Sequence, residues 1–129
     1  PNVTLNWGSN YGQRIRGYIH APTTGNYVFW IAGDDRAELY LSTDANPANK
    51  TRIAFTKDWT NQYHWSKHSE QKSAAIPMVA GQKYYVEILH KEAGGNDNVA
   101  VGWAKPGQSV TTASEVVPGS VLSPYIDPD

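Results

Sequence analysis

Cysteine is absent from the 129 residues. That excludes disulfides, thiolate metal sites and a cysteine nucleophile, while leaving the compartment open. No apolar run is long enough to span a bilayer, and no signal peptide leads the chain, although a mature exported protein would have shed one. The formal net charge is only −1, with both signs interspersed. Nothing in that balance points to nucleic acid or an anionic membrane, and no membrane insertion is expected. No segment has a helical period, and there is no internal repeat. The usual catalytic motifs are also missing: no Gly-x-Ser-x-Gly elbow, no His-Glu-x-x-His and no glycine-rich phosphate loop.

What is present reads as strands and elaborate loops. Aromatics make up 12%, mostly Tyr and Trp, whose flat bodies and polar tips suit both strand surfaces and wet binding faces. Ile15, Gly17, Ile19 and Ala21 alternate with Arg14, Arg16, Tyr18 and His20, giving one inward and one solvated face. After the turn at Pro22-Thr23-Thr24-Gly25-Asn26, Tyr27 to Ala32 is expected to return as the second strand of a hairpin. Ala37 to Ser42 is a third strand, and Arg52 to Thr56 a short one with Ile53 and Phe55 on one face. Gln71 to Met78 reads as an edge strand because Pro77 removes a ladder donor. Lys83 to Glu92 is apolar on both faces, which marks a central strand, and Val99, Val101 and Trp103 alternate beyond it. The expected fold is an all-β antiparallel sandwich of two packed sheets, jelly-roll-like, with long functional loops. Residues 1–122 form the domain, and 123–129 form a Pro/Asp-rich linker or tail.

Three stretches carry chemistry. The adjacent carboxylates Asp34 and Asp35 interrupt two strand-type runs, and successive strand residues point to opposite faces. Both can serve one site only where the backbone leaves strand geometry. One reading is a pair that holds a hard cation; the other is a polar hairpin turn screened by Arg36. The second stretch, Ala93-Gly94-Gly95-Asn96-Asp97-Asn98, is rich in oxygen donors. The third, Lys57 to Glu70, holds Trp59, Tyr63, His64, Trp65 and His68 without any period, too long and too aromatic for a plain connector. His64 and His68 have the spacing of a helical zinc pair, but in a loop they read as surface groups. A tryptophan here either faces a ligand or pins the loop to the sandwich.

Two runs then point to a family. Residues 11–19 with 24–42, and residues 80–92 with the Gly-rich loop and Val99 to Trp103, resemble the protective-antigen-like (PA-fourteen) domain. Together they span most of residues 11–106 in that family's order. The resemblance implies a β-sandwich of secreted toxins, adhesins, flocculins and extracellular glycosidases. In its lectin members an Asp-Asp pair joined by a cis peptide, helped by a later loop, binds Ca2+, which meets sugar hydroxyls directly. Asp34 and Asp35 match that pair. The later loop corresponds to residues 92–98, where Glu92, Asn96, Asp97 and Asn98 all offer oxygens.

The expected function is therefore a calcium-dependent carbohydrate-binding module of a larger secreted or cell-surface protein, monomeric as an isolated domain. Its partners would be a glycan or polysaccharide and the neighbouring domains of its own chain. Calcium takes six to eight oxygen ligands at roughly 2.3–2.6 Å. Asp34, Asp35, Glu92 and Asp97 are the metal candidates. Asn96, Asn98, Trp59, His64 and Trp65 join the two aspartates as sugar contacts. The alternative is a non-catalytic spacer or protein-docking domain of an adhesin or glycosidase. Catalysis is not expected: glycosidase carboxyls stand about 5–5.5 or 6.5–9.5 Å apart, and adjacent aspartates cannot straddle a bond, although Asp58 or Glu92 could pair with one on paper.

Overall fold

The structure is a computed structural model that describes residues 13–33, 36–61, 63–91 and 99–126. Nine strands follow in chain order among the described residues: β1 Gln13–His20, β2 Gly25–Gly33, β3 Arg36–Leu41, β4 Thr51–Thr56, β5 Ile76–Met78, β6 Lys83–Lys91, β7 Val99–Ala104, β8 Glu115–Val116 and β9 Leu122–Pro124. They form a five-stranded sheet, β4-β3-β6-β1-β9, and a four-stranded sheet, β5-β2-β7-β8. All pairings are antiparallel. The result is the expected β-sandwich, and β6 is indeed central, hydrogen-bonded to both β1 and β3.

Alternation builds the core. Ile15 and Ile19 of β1, Leu39 and Leu41 of β3, and Val86 and Ile88 of β6 point inward from one sheet. Tyr27, Phe29 and Ile31 of β2 meet them from the other, with Val99, Val101 and Trp103 of β7. The rings of Tyr27, Phe29 and Trp103 lie 5.3–6.4 Å apart, at contact distances for aromatic pairs. Their polar tips are satisfied at the rim: the Tyr27 hydroxyl donates to the Thr23 carbonyl at 2.6 Å, and Trp103 Nε1 donates to Glu115 at 2.9 Å. Gly25, at φ +148°, is required where β2 starts, since a side chain there would meet the Pro106 ring at 2.7 Å.

The connections differ from the sequence reading in one respect that matters for function. β1 and β2 are not a hairpin, because they belong to opposite sheets. Nor is the Gly33-Asp34-Asp35-Arg36 stretch a hairpin turn: β2 ends in the four-stranded sheet and β3 starts in the five-stranded one. Both faces of β2 are buried, so alternation alone could not reveal which neighbour each end joins. β4 also departs from simple alternation. Its register to β3 shifts between Leu39 and Tyr40, so Ile53 packs against the core while Phe55 sits outside under the Arg52 guanidinium, 4.0 Å away. At the far end, the 122/123 boundary falls inside β9, whose Leu122, Ser123 and Pro124 pair with Ile19, Tyr18 and Gly17. Tyr125 then packs on Tyr85 at 5.3 Å and under Arg16 at 4.0 Å.

Candidate functional site at one end of the sandwich

The two acidic stretches are anchored at one end of the fold. Gly33, the last residue of β2, is the partner of Val99, the first of β7. Arg36, the first of β3, is the partner of Lys91, the last of β6. The segments 34–35 and 92–98 thus each connect the same two sheets, between residues that are sheet neighbours. Asp34, Asp35, Glu92, Asn96, Asp97 and Asn98, together with the Asp34–Asp35 peptide bond, lie outside the described residues. Among the described residues no group of three or more His, Asp or Glu side chains is placed to hold a metal.

The long aromatic segment is fastened beside that end by polar side chains. Thr60 donates its backbone N–H to the Gly33 carbonyl at 2.8 Å, and its hydroxyl accepts from the Gly33 N–H at 2.8 Å. Further along, the buried Gln71 amide donates to the Ile31 carbonyl at 2.9 Å and to the His64 carbonyl at 2.7 Å. Ser73 then takes the Phe29 N–H on its hydroxyl at 2.9 Å and returns its own N–H to the Phe29 carbonyl at 2.8 Å. Thr60, Gln71 and Ser73 therefore stand in for a strand along the edge of β2 above β5, satisfying backbone groups that would otherwise be stranded in the interior. The sequence carries no signal for these anchors beyond isolated polar residues in an aromatic loop.

The aromatic candidates divide. Trp65 is half-buried and packs on Val28, Trp30 and Ala104, on the outer side of the four-stranded sheet. Gly102 makes room for it: a Cβ there would lie 3.1 Å from the Trp65 ring and 2.7 Å from Ala113. Trp59, one residue before the Thr60 anchor, keeps 51% of its surface exposed. Lys67 reaches over it, with Nζ 5.3 Å from the ring centroid and 2.6 Å from the Trp59 carbonyl. Tyr63, in the left-handed region at φ 66°, is exposed and 6.1 Å from the Trp65 ring. His64 is exposed. His68 instead bonds Asp58 at 3.0 Å, and Lys67 meets the same carboxylate at 3.1 Å. The His68 hydrogen bond, then that of Lys67, holds the Asp58 carboxyl below its usual range. Neither His64 nor His68 belongs to a group of three or more potential metal ligands among the described residues.

The fold and this end of it define a β-sandwich domain whose long aromatic segment is fastened beside one pair of inter-sheet connections. The chain belongs to the PA14 domain family, whose profile matches residues 7–116. It is 36% identical over 132 residues to N-acetyl-beta-glucosaminyl-glycoprotein 4-beta-N-acetylgalactosaminyltransferase 1 of Mus musculus, a match that covers 97% of this chain and 12% of that protein. Fibrocystin-L of Homo sapiens is 39% identical over 79 residues, 61% of this chain and 2% of its own length. The chain thus spans a small part of the curated relatives it matches.

Among solved structures, an anti-sigma factor domain-containing protein from Clostridium clariflavum superposes with a TM-score of 0.59 at 28% identity, covering 87% of this chain and 32% of that one. The Epithelial Adhesin 9 A domain from Candida glabrata, in complex with Galb1-3GlcNAc, gives a TM-score of 0.58 at 15% identity over 90% of this chain and 53% of that one, a likeness of fold.

Proposed function

We propose that the chain is a calcium-dependent carbohydrate-binding module of a larger extracellular protein. The observation that carries this reading is the pairing of Gly33 with Val99 and of Arg36 with Lys91. The residues flanking the Asp34-Asp35 pair and the 92–98 segment are sheet neighbours, so the two donor-bearing connections start and finish side by side. The donor chemistry suits the ion, since carboxylates and amide carbonyls are the hard oxygen ligands that calcium takes. Asp34, Asp35, Glu92 and Asp97 would hold it, and Asn96 and Asn98 would contact the sugar. When bound, the ion would supply coordination positions for vicinal hydroxyls. Trp59, held beside Gly33 by Thr60, would offer its exposed face to a sugar ring, with His64 at the margin.

Binding without turnover is the reading for the isolated domain. The transferase relative is matched over only 12% of its length, so its activity belongs to a protein far larger than this chain. The adhesin complex holds Galb1-3GlcNAc, which makes galactosides the first sugars to try. The test is a glycan array probed with calcium and again with EDTA, beside a calcium titration of the melting temperature. Calcium-dependent array signal is the expected result. A blank array with a calcium-stabilised fold would replace this reading with the spacer or docking reading, which the great length of the relatives favours.

A further inference from the structure

A nearly neutral chain here has a strongly basic face. Ile15, Ile19, Leu39, Val86 and Ile88 fill the core, so the alternating positions of β1, β3 and β6 point outward from the five-stranded sheet. Those positions carry Arg14 and Arg16 on β1, Arg36 on β3 and Lys83 on β6. Arg52 of β4, opposite Tyr40, joins them, as does Lys57 just beyond β4. These six are more than half of the 11 basic residues in the chain. Among the described residues, two carboxylates oppose them on the face. Glu87 is 4% exposed and accepts from the Tyr85 hydroxyl, while Glu38 pairs with Arg52 at 2.9 Å. Glu70 reaches Lys57 from outside the sheet at 3.1 Å.

The face also has a shaped element. Arg36, Arg52 and Lys57, with Glu38, Phe55 and Leu89, line a hollow of about 250 Å³. The Arg52 guanidinium is stacked on Phe55 at 4.0 Å, so it is already restrained before any ligand arrives. Guanidinium groups donate paired hydrogen bonds to the oxygens of sulfate and carboxylate. The registers set Arg14 opposite Leu89, Leu89 opposite Glu38 and Arg52 opposite Tyr40, so Arg14, Arg36 and Arg52 are spread across four neighbouring strands, each about 4.8 Å from the next, rather than side by side. That arrangement suits an extended, stiff ligand bearing an anion at each repeat.

Other polyanions fit less well. Tyr18 and Tyr85 on this face are buried, Phe55 is covered by Arg52, and Tyr40 and Tyr125 are partly buried and engaged by Glu38 and Arg16, so among the described residues no ring of this face is freely offered to a nucleobase. We propose that the outer face of the five-stranded sheet binds an acidic polysaccharide, a chain bearing sulfate or carboxylate groups, through Arg14, Arg36, Arg52 and Lys57. The surface is a sheet face that needs no metal, with Arg36 at the end where β3 follows the Asp34-Asp35 pair and Arg14, Arg52 and Lys57 on other strands or beyond them.

The test is a titration of the 129-residue chain with heparin in EDTA at about 0.15 M salt. Binding that weakens as salt rises is expected, with loss on chemical desulfation of the heparin. The double variant Arg36→Gln/Arg52→Gln should bind about tenfold more weakly at an unchanged melting temperature. Lys72→Gln, whose side chain lies over Trp30 on the other sheet, should bind as before. If the double variant melts early, Arg14→Gln at the opposite edge of the face carries the test. Absence of heparin binding in EDTA, or binding untouched by either face variant, would overturn the proposal. So would equal affinity for duplex DNA or phosphatidylserine vesicles, which would mark unselective charge.

Discussion

Thr60 and Gly33 lock to each other through both backbone and side chain: the Thr60 N–H meets the Gly33 carbonyl, and the Gly33 N–H meets the Thr60 hydroxyl, each at 2.8 Å. Thr60 is fully buried, so the hydroxyl has no water to replace its partner. Thr60→Val keeps the shape and leaves the Gly33 N–H unsatisfied, which costs about 1–3 kcal/mol. Because Gly33 precedes the acidic pair, the variant should also weaken calcium stabilisation. Denaturant melts with and without calcium check both, and a variant as stable as the parent would remove Thr60 from this role.

Calcium itself should be visible in the melting temperature. An ion present at about 100 times its Kd stabilises the native state by about 2.7 kcal/mol, an increase on the order of 10 °C for a domain this size. Asp34→Asn should abolish that increase while leaving the metal-free melting temperature close to the parent's. Differential scanning calorimetry in EDTA and in calcium reads the difference. A calcium response that survives the substitution would place the ion elsewhere.

How far the sequence alone could reach follows from particular residues. Alternation identified the core of β1, β3 and β7, and the two-sided β6, because each buried face carries its own period-2 signal. The partnering of strands was not legible. β2 is buried on both sides, by the core at Tyr27, Phe29 and Ile31 and by the Trp65 loop at Val28 and Trp30, so its sequence gave no hint that it leaves β1's sheet. The anchors Thr60, Gln71 and Ser73 were invisible too, since each acts on a backbone group some 27 to 44 residues away. Net charge concealed the basic sheet face for a related reason. It sums over residues that the strand registers later sort onto different surfaces.

Alkaline pH should expose the outer-face network of Arg16, Tyr85 and Glu87. Burial first, then the hydrogen bond to Glu87, pushes the Tyr85 phenol up to about 12, against a donor from Arg16 that pulls the other way. A folded-state value raised above the ordinary 10.0 means that the neutral phenol stabilises the fold. That contribution is complete below pH 10.0 and is lost as the pH rises toward about 12. Tyr85→Phe should therefore flatten the fall in denaturation midpoint across that window, although Tyr40 and Tyr63, also raised, will leave a residue of it. An unchanged pH profile in the variant would contradict the assignment.

The two tryptophans of the long segment should separate stability from binding. Trp65 is packed on Val28, Trp30 and Ala104, so Trp65→Ala removes apolar contact and opens a void above Gly102, at a cost of about 2 kcal/mol. Trp59 is half exposed, and its ring contact is with a lysine that can turn to solvent. Trp59→Ala should change stability by no more than about 0.5 kcal/mol. If its face receives a sugar ring, the same substitution should weaken glycan binding about tenfold. Melting curves and glycan titrations on both variants give a two-by-two comparison. The opposite pattern, with Trp59 controlling stability and Trp65 controlling affinity, would transfer the binding face to the other side of the loop.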